Sequence, residues 1–303
     1  MNASNDSNSV LCAGRLYCDL VFTGVDGLPT LGTETFADEL GLHAGGGAFI
    51  TAATLCALGQ SAALLATIPA APFDKIVERD IAYNVVDARQ CTPAPPGIDP
   101  QITVVVAAEN DRAFLSRRAG VALPTLTPDA FSNHCHLHIG ELRTLLEHPD
   151  LIDLARSAGL TISLDCGWDD GMMADVAVLT GLIAQVDVFL PNEAETTRLS
   201  ELGLSEKTAP LTVVKCGAQG ARANRKSGWI TVAASRADVV DATGAGDAFN
   251  GGFLYEWLRG TGLEQCLVTG NSCGGAVVQA RGGTGGLDMV RNDMMSAKRK
   301  LAT

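Results

Sequence analysis

The chain has 303 residues, of which 47% are hydrophobic, 18% charged and 5% aromatic. Such a chain buries a large aliphatic core, which excludes disorder as its main state, and its 33 glycines follow no period of three, which excludes collagen. Lys and Arg total 22 against 34 for Asp and Glu, a formal net charge of -12. The resulting field repels nucleic acid and acidic lipid, yet it tolerates a local anion site built from backbone N–H groups.

The opening MNASNDSNSV has neither a basic nor an apolar leader region and reads as a short disordered tail. Its asparagines in N-x-S sequences, Asn2 and Asn5, carry no meaning in a cytosolic chain. The first strand follows at 9–14. Residues 15–42 mix Gly, Thr and Pro with short apolar pieces and read as strands outside the main layer. The stretch 45–59 is an Ala- and Leu-rich helix that begins at three glycines and stops at one. An apolar strand at 61–69 precedes a helix at 72–83 that opens with proline. Residues 91–100 form a turn or edge segment, and 102–116 a hairpin with its turn near Asn110 and Asp111.

From 134 the rhythm becomes regular. Strands at 134–139, 160–165, 186–191 and 211–217 alternate with helices at 141–157, 171–184 and 193–201, which predicts βαβ units around a buried parallel sheet. A further strand pair falls near 221–232, a long helical zone at 245–279, and the final AKRKLAT reads as a basic frayed end. Linkers long enough to separate independent domains are missing. The expectation is therefore one α/β body of residues 9–14, 43–89 and 121–296, with a small β lid from 15–42 and 90–120. The lid assignment rests on the lack of helical period in those two regions. Its exposed face is where a second copy would pack to make a homodimer.

The nine cysteines are scattered, form no C-x-x-C pair and sit mostly among apolar residues, so they read as small hydrophobes in a reducing, cytoplasmic setting. No apolar run suggests a membrane span. His134, His136 and His138 share one side of a strand, a pattern compatible with zinc, but no Cys or Asp set of zinc spacing completes it.

The most informative segment is VVDATGAGDAFNGGFLYEWL, at 239–258. A strand end leads through D-A-T-G-A-G-D into an apolar-periodic helix. Gly244 and Gly246 let the backbone approach a ligand, and the helix start leaves N–H groups unpaired, which makes a site for anionic oxygen. Asp247 lies in that first turn. A carboxylate beside an anion hole is a poor phosphate ligand and a good base for a hydroxyl attacking phosphorus. Helix capping is the competing account of Asp247.

This segment resembles the C-terminal signature of the ribokinase-like carbohydrate kinase family, D-T-x-G-A-G-D, with Ala242 in place of the usual Thr. The resemblance implies a three-layer α/β sandwich with a mostly parallel sheet, Asp247 as base, and Gly244, Ala245 and Gly246 as the anion hole. Other marks of the family occur in order along the chain. Gly14 ends the first strand and Asp19 follows as a ligand of sugar hydroxyls. The diglycine Gly45–Gly46 lies at the helix that backs the substrate. Asn192 and Glu195 form N-x-x-E, which the resemblance places near a hydrated Mg2+, although the pair also suits a capping box. Lys215 with Gly217 and Gly220 is implied to contact nucleotide phosphate, and Asn271 to lie near the adenine. The loop 281–286 and Asp241 fall where many relatives hold a monovalent cation such as K+.

The sequence departs from the family at two places. Ile50 replaces an Asn that usually contacts sugar. In LDCGWDD, at 164–170, Asp165 is kept, while Gly167 and Asp169 replace the Asn and Arg of D-x-N-x-R. Asp19, the missing Asn at Ile50 and the missing Arg at Asp169 together argue for a neutral polyhydroxy acceptor, not a phosphorylated one. The cofactors implied are ATP and Mg2+. A nucleoside kinase of the same fold, with Tyr17, Phe22 or Phe114 as a base platform, and a non-catalytic sugar-sensing protein are the alternatives. A dinucleotide oxidoreductase is disfavoured because the early glycines lack G-x-G-x-x-G spacing.

Overall fold

The computed structural model describes residues 8–108, 111–173, 175–225 and 228–301. The expected N-terminal tail and the tip of the 102–116 hairpin lie outside them. Strand β1 (Ser9–Ala13) is buried along its whole length. Val10 and Cys12 enter one apolar cluster while Leu11 and Ala13 enter another, so both faces of this strand are covered. That is the condition for a parallel sheet between two helical layers.

After β1 come β2 (Tyr17–Val25), β3 (Glu39–Gly45), α1 (Gly47–Ala57), β4 (Ala62–Leu65), β5 (Thr67–Ile68) and α2 (Asp74–Tyr83). Next are β6 (Thr92–Pro93), β7 (Ile102–Ala108), β8 (Asp111–Arg117), β9 (His134–Ile139), α3 (Leu142–Glu147) and α4 (Leu151–Ser157). The alternation continues with β10 (Thr161–Asp165), α5 (Asp170–Met173), α6 (Val176–Ile183), β11 (Val188–Leu190), α7 (Glu193–Glu201) and β12 (Leu211–Lys215). The chain closes with β13 (Ala221–Arg225), β14 (Gly228–Val232), α8 (Ala245–Trp257), α9 (Leu263–Val277) and α10 (Leu287–Leu301).

Among the described residues, eight strands form the central sheet in the order β14-β13-β12-β11-β10-β9-β1-β4. The run from β4 to β12 is parallel, and β13 and β14 add an antiparallel edge. Helices α1, α8 and α9 pack with one face and α3, α4 and α6 with the other. Strand order reverses at β1, which has β4 on one side and β9 on the other, and the crevice beyond the strand C-termini at such a point is where α/β folds bind ligands.

A second, four-stranded sheet runs β3-β2-β7-β8. Its register aligns Asp19 with His43, Thr103 with Ser116 across β7 and β8, and Val21 with Val105 and Phe114. Asp19, Thr103, Ser116 and Phe114 line the central cleft, which identifies this as the inner face. Two boundaries differ from the sequence expectation. Strand β3 carries residues 43–45 into the second sheet, and β6 pairs with β5 of the body instead of joining the lid.

Three expected helices are broken. Pro149, which supplies no N–H, separates α3 from α4. Asp175, whose side chain accepts from the Val178 N–H, restarts the chain as α6 after α5. The long zone at 245–279 divides at a turn where Gly260 takes φ 72°. At the C-terminus the basic segment continues α10 as far as Leu301 instead of fraying. No helix among the described residues is long and apolar enough to cross a membrane.

Candidate active site

The cleft lies beyond the C-termini of β1, β9 and β10, beneath the inner face of the four-stranded sheet. Its 480 Å3 are lined by Asp19, Gly46, Gly47, Glu141, Asp165, Glu195, Lys215 and the 243–247 segment, among others. A neighbouring cavity of 420 Å3 shares Lys215, Gly217, Ala245 and Gly246 with it and continues past Ala234, Val239, Phe249, Asn271 and Gly275. A larger cavity of 760 Å3 opens at the opposite, N-terminal ends of β1, β4 and β9 around Ser9, Ser61 and His134.

Gly244 caps α8 with φ 74°, a left-handed conformation that a side chain would strain, and an added Cβ would meet Gly283 Cα at 2.6 Å. Among the described residues the N–H groups of Gly244, Gly246 and Asp247 have no backbone partner. The Ala245 N–H makes a long 3.4 Å bond to the Ala242 carbonyl, so it is the least free donor of the expected anion hole. Lys215 reaches the same spot, because a Cβ on Gly246 would lie 3.4 Å from its Nζ.

Asp247 stands opposite α1. A Cβ on Gly47 would sit 2.8 Å from Asp247 Oδ1, and the Thr51 hydroxyl donates to the Asp247 carbonyl at 3.1 Å. Burial pushes the Asp247 carboxyl well above the usual carboxylate range, and the charges of Asp165, Glu195 and Asp19 push it further against the pull of Lys215. A carboxyl near neutral pKa beside unpaired N–H groups suits a general base.

Lys215 is tied to a buried carboxylate. Its Nζ donates to both oxygens of Asp165 at 2.9 and 2.7 Å, and Asn250 Nδ2 donates to Asp165 Oδ2 at 2.5 Å. Burial works against the Lys215 charge, but Asp165, Glu195 and Asp247 outweigh it and hold the ammonium ionised. The expected phosphate contact thus starts as an ion pair that faces the anion hole.

Asn192 caps α7 and forms a complete capping box. Its side chain accepts from the Glu195 N–H at 2.8 Å while Glu195 Oε2 accepts from the Asn192 N–H at 2.8 Å. Both residues also line the cleft, so capping and cleft exposure hold together. Burial raises the Glu195 carboxyl above its usual range, with the Asp165 charge adding to the effect.

Asp19 is buried on β2, and burial followed by the Asp241 charge pushes its carboxyl up to about 7. Gly45 lies so close to the Asp19 carboxylate that any side chain there would displace it. Gly46 starts α1 with φ 108° against the Arg15 carbonyl. Asp241 is buried too, and its two oxygens accept the Thr243 and Gly282 N–H groups at 2.8 and 2.9 Å. Gly217 and Gly220 form the turn after β12, and Asn271, which lines the second cavity, donates to the Val232 carbonyl at 3.1 Å. Ile50 packs its Cδ1 on the Gly244 and Gly283 backbones and supplies no polar contact.

Sequence reasoning passed over Gly47, Gly140, Glu141 and Asn250. The run of three glycines signalled the first, and the helix of Asp247 the last, one turn on. One of the three grounds for a neutral acceptor was the lack of an arginine at position 169. Asp169 instead gathers Arg118 and Arg143 to that place, which removes that one ground. Two residues of the histidine strand, His136 and His138, are fully buried and bonded to the neighbouring strand. His136 bonds Thr161 and Ser163, His138 bonds Ser163, and burial pushes both imidazoles down to about 3. No metal-holding cluster of His, Cys, Asp or Glu occurs among the described residues.

Residues 8–289 match the family described as pfkB family carbohydrate kinase. An ATP-dependent ribose-1-phosphate kinase of Halopiger xanaduensis is 27% identical over 277 residues, covering 88% of this chain and 90% of that protein. The nucleoside kinase of Methanocaldococcus jannaschii superposes with a TM-score of 0.78 at 21% identity, covering 95% of this chain and 98% of its own. A putative ribokinase II from E. coli in complex with ATP and Mg2+ also gives 0.78 at 21% identity, with 96% and 99% covered. The chain therefore belongs to the pfkB family of ribokinase-like carbohydrate kinases, whose activity is ATP-dependent phosphoryl transfer to a sugar or nucleoside hydroxyl.

Proposed function

We propose that Asp247 is the base that takes the proton from the acceptor hydroxyl, and that the acceptor is a sugar or related polyhydroxy metabolite lying between Asp19 and Asp247. The observation that carries this reading is the placement of a carboxyl of raised proton affinity beside unpaired N–H groups at a helix start. A carboxylate such as Asp19 accepts two hydroxyl bonds, which suits a diol. The free N–H groups of Gly244 and Gly246, with Lys215 beside them, would receive charge that grows on the transferred group.

The 420 Å3 cavity fits a nucleotide by its chemistry. Its lining combines the apolar Val239, Phe249 and Val278 with the polar Asn271 and the Lys215 ammonium. Glu195, carboxylate-bearing and buried in the cleft, fits the outer water shell of Mg2+. When bound, ATP with Mg2+ supplies the phosphoryl group and screens its charge. The monovalent cation of the family would take its ligands from Asp241, whose oxygens each keep a lone pair beyond the bonds to Thr243 and Gly282.

A nucleoside acceptor is the second reading, favoured by Tyr17 and Phe114, which both line the cleft; Phe22 does not. We also assign the four-stranded sheet of β2, β3, β7 and β8 the role of a lid over the cleft. Its outer row, Leu20, Leu42, Val104 and Leu115, is aliphatic and includes a 73% exposed Leu115, which suits a second lid in a homodimer.

The test is Asp247→Asn on the acceptor returned by an ADP-release screen of sugars, sugar acids, sugar phosphates and nucleosides. Loss of a general base lowers kcat about 10²–10⁴-fold, while the melting temperature stays near wild type because Asn caps about as well as Asp. Turnover within fivefold of wild type in a folded variant removes Asp247 as base.

A further inference from the structure

At the end of the cleft away from α8 a second polar cavity opens. It measures 470 Å3 and shares Tyr17, Ser116, Glu141 and Gly167 with the cleft, so the two form one continuous depression. Two arginines line only the new region. Arg118 follows lid strand β8 directly, and Arg143 lies in the first turn of α3, just past the end of β9.

Both donate to a single atom. Arg118 Nη1 lies 2.8 Å from Asp169 Oδ2, and Arg143 Nε and Nη2 lie 3.1 and 2.6 Å from it. The other oxygen, Asp169 Oδ1, accepts the Met172 N–H at 3.0 Å. Asp169 is thus a fixed post that draws two guanidinium groups together. Burial resists its ionisation, but the bonds from Arg143, the Met172 N–H and Arg118 prevail and lower its carboxyl to about 2.

The post does not exhaust them. A guanidinium has five N–H donors. Among the described residues Arg143 Nη1 has no hydrogen-bond partner, nor do Arg118 Nε and Nη2. Their side chains remain 29% and 46% exposed to the cavity and solvent. Two positive groups on one carboxylate leave a positive charge over. Of the other acids in the lining, Glu141 is held toward its neutral form by burial while accepting from the Thr144 hydroxyl at 3.0 Å. Asp170 is exposed at the start of α5. Forked arginine pairs are the preferred receptors of planar or tetrahedral oxyanions.

We propose that Arg118 and Arg143 form a subsite for an anionic oxygen group, a carboxylate or a phosphate monoester, on the acceptor's end remote from the hydroxyl that is phosphorylated. This rests on the kinase reading above and narrows its acceptor class. Because Arg118 belongs to the lid and Arg143 to the body, an acceptor bearing such a group also joins the two sheets at its far end.

The experiment uses matched sets on a pentose and a hexose skeleton: the neutral sugar, its aldonate and its 1-phosphate. ADP release and calorimetric binding are read for wild type, Arg118→Gln, Arg143→Gln and Arg143→Lys, with melting curves for each. In wild type one anionic member is preferred over its neutral parent by about tenfold or more in kcat/KM, the scale of one charge-assisted hydrogen bond. Either Gln variant reduces that ratio about tenfold through KM, and Arg143→Lys recovers some of it. The aldonate and 1-phosphate arms separate a carboxylate from a phosphate. Preference for the neutral parent, or a ratio unmoved in a folded Arg143→Gln, overturns the subsite while the kinase reading stands. If no acceptor is turned over, the kinase reading fails, and calorimetry decides the subsite alone. It then stands only where an anionic member binds wild type more tightly than its parent and loses that margin in Arg143→Gln.

Discussion

The two ends of the cleft are built in opposite ways. The end to which we assign the transferred group comes mainly from one unbroken segment, where Gly244, Gly246 and Asp247 are fixed by the start of a single helix and backed by Lys215. The acceptor end is assembled from pieces far apart in the chain: Asp19 and Tyr17 on β2, Ser116 on β8, Glu141 after β9 and Gly167 after β10. A helix start holds its N–H groups by backbone geometry alone. The acceptor end depends on how two sheets lie against each other, so its composition can vary without disturbing the other end.

That contrast can be broken most sharply at Lys215. Removing one partner of a buried ion pair leaves the other charge uncompensated, at a cost of about 3 kcal/mol. Lys215→Met therefore lowers stability by roughly that amount, read from denaturant unfolding, and reduces turnover about 10²–10³-fold through loss of a charge at the anion hole. Adding Asp165→Asn restores much of the stability and none of the turnover. Should turnover return as well, Lys215 acts only as the partner of Asp165.

Asp19→Asn examines the other end. It is expected to raise KM for the acceptor about tenfold, the value of a hydrogen bond to a charged group, with KM for ATP nearly unchanged. Equal changes in both constants would mean that the ends are coupled. The same variant carries a pH signature. Folding raises the Asp19 pKa to about 7 from the ordinary carboxylate value of about 3.9. The stability from its neutral form is present in full below the lower value and lost as pH rises through about 7. The melting temperature of the free wild-type protein should fall between pH 5 and 7 more steeply than that of Asp19→Asn.

The smallest effect belongs to Glu195→Gln. Gln completes a capping box as Glu does, so the melting temperature holds. The Mg2+ concentration for half-maximal rate rises several-fold to about tenfold if the carboxylate orders the metal's water. An unchanged Mg2+ titration confines Glu195 to capping.

Much of this fold was legible in the sequence because β1, β4, β10, β11 and β12 of the central sheet are short, largely apolar runs, and α7 spans the residues its capping pair marks. The D-A-T-G-A-G-D segment could be read for the same reason as its geometry holds: all its residues are neighbours in the chain. Helix ends were harder where Pro149, Asp175 and Gly260 interrupt otherwise apolar stretches. Asn250 escaped notice because an Asn inside an apolar helix gives no sign that it bonds a buried Asp165 at the C-terminal end of β10. Arg118 and Arg143 escaped for a stronger reason. Position 169 was searched for an arginine of its own, whereas the structure has an aspartate there that collects two from elsewhere.

Lys215, Gly217, Ala245 and Gly246 belong to the walls of both the cleft and the 420 Å3 cavity. These four residues therefore frame a doorway between two chambers, with a positive jamb on one side and bare backbone on the other. An anionic group standing there would meet N–H donors from one wall and the Lys215 ammonium, itself held by Asp165, from the other.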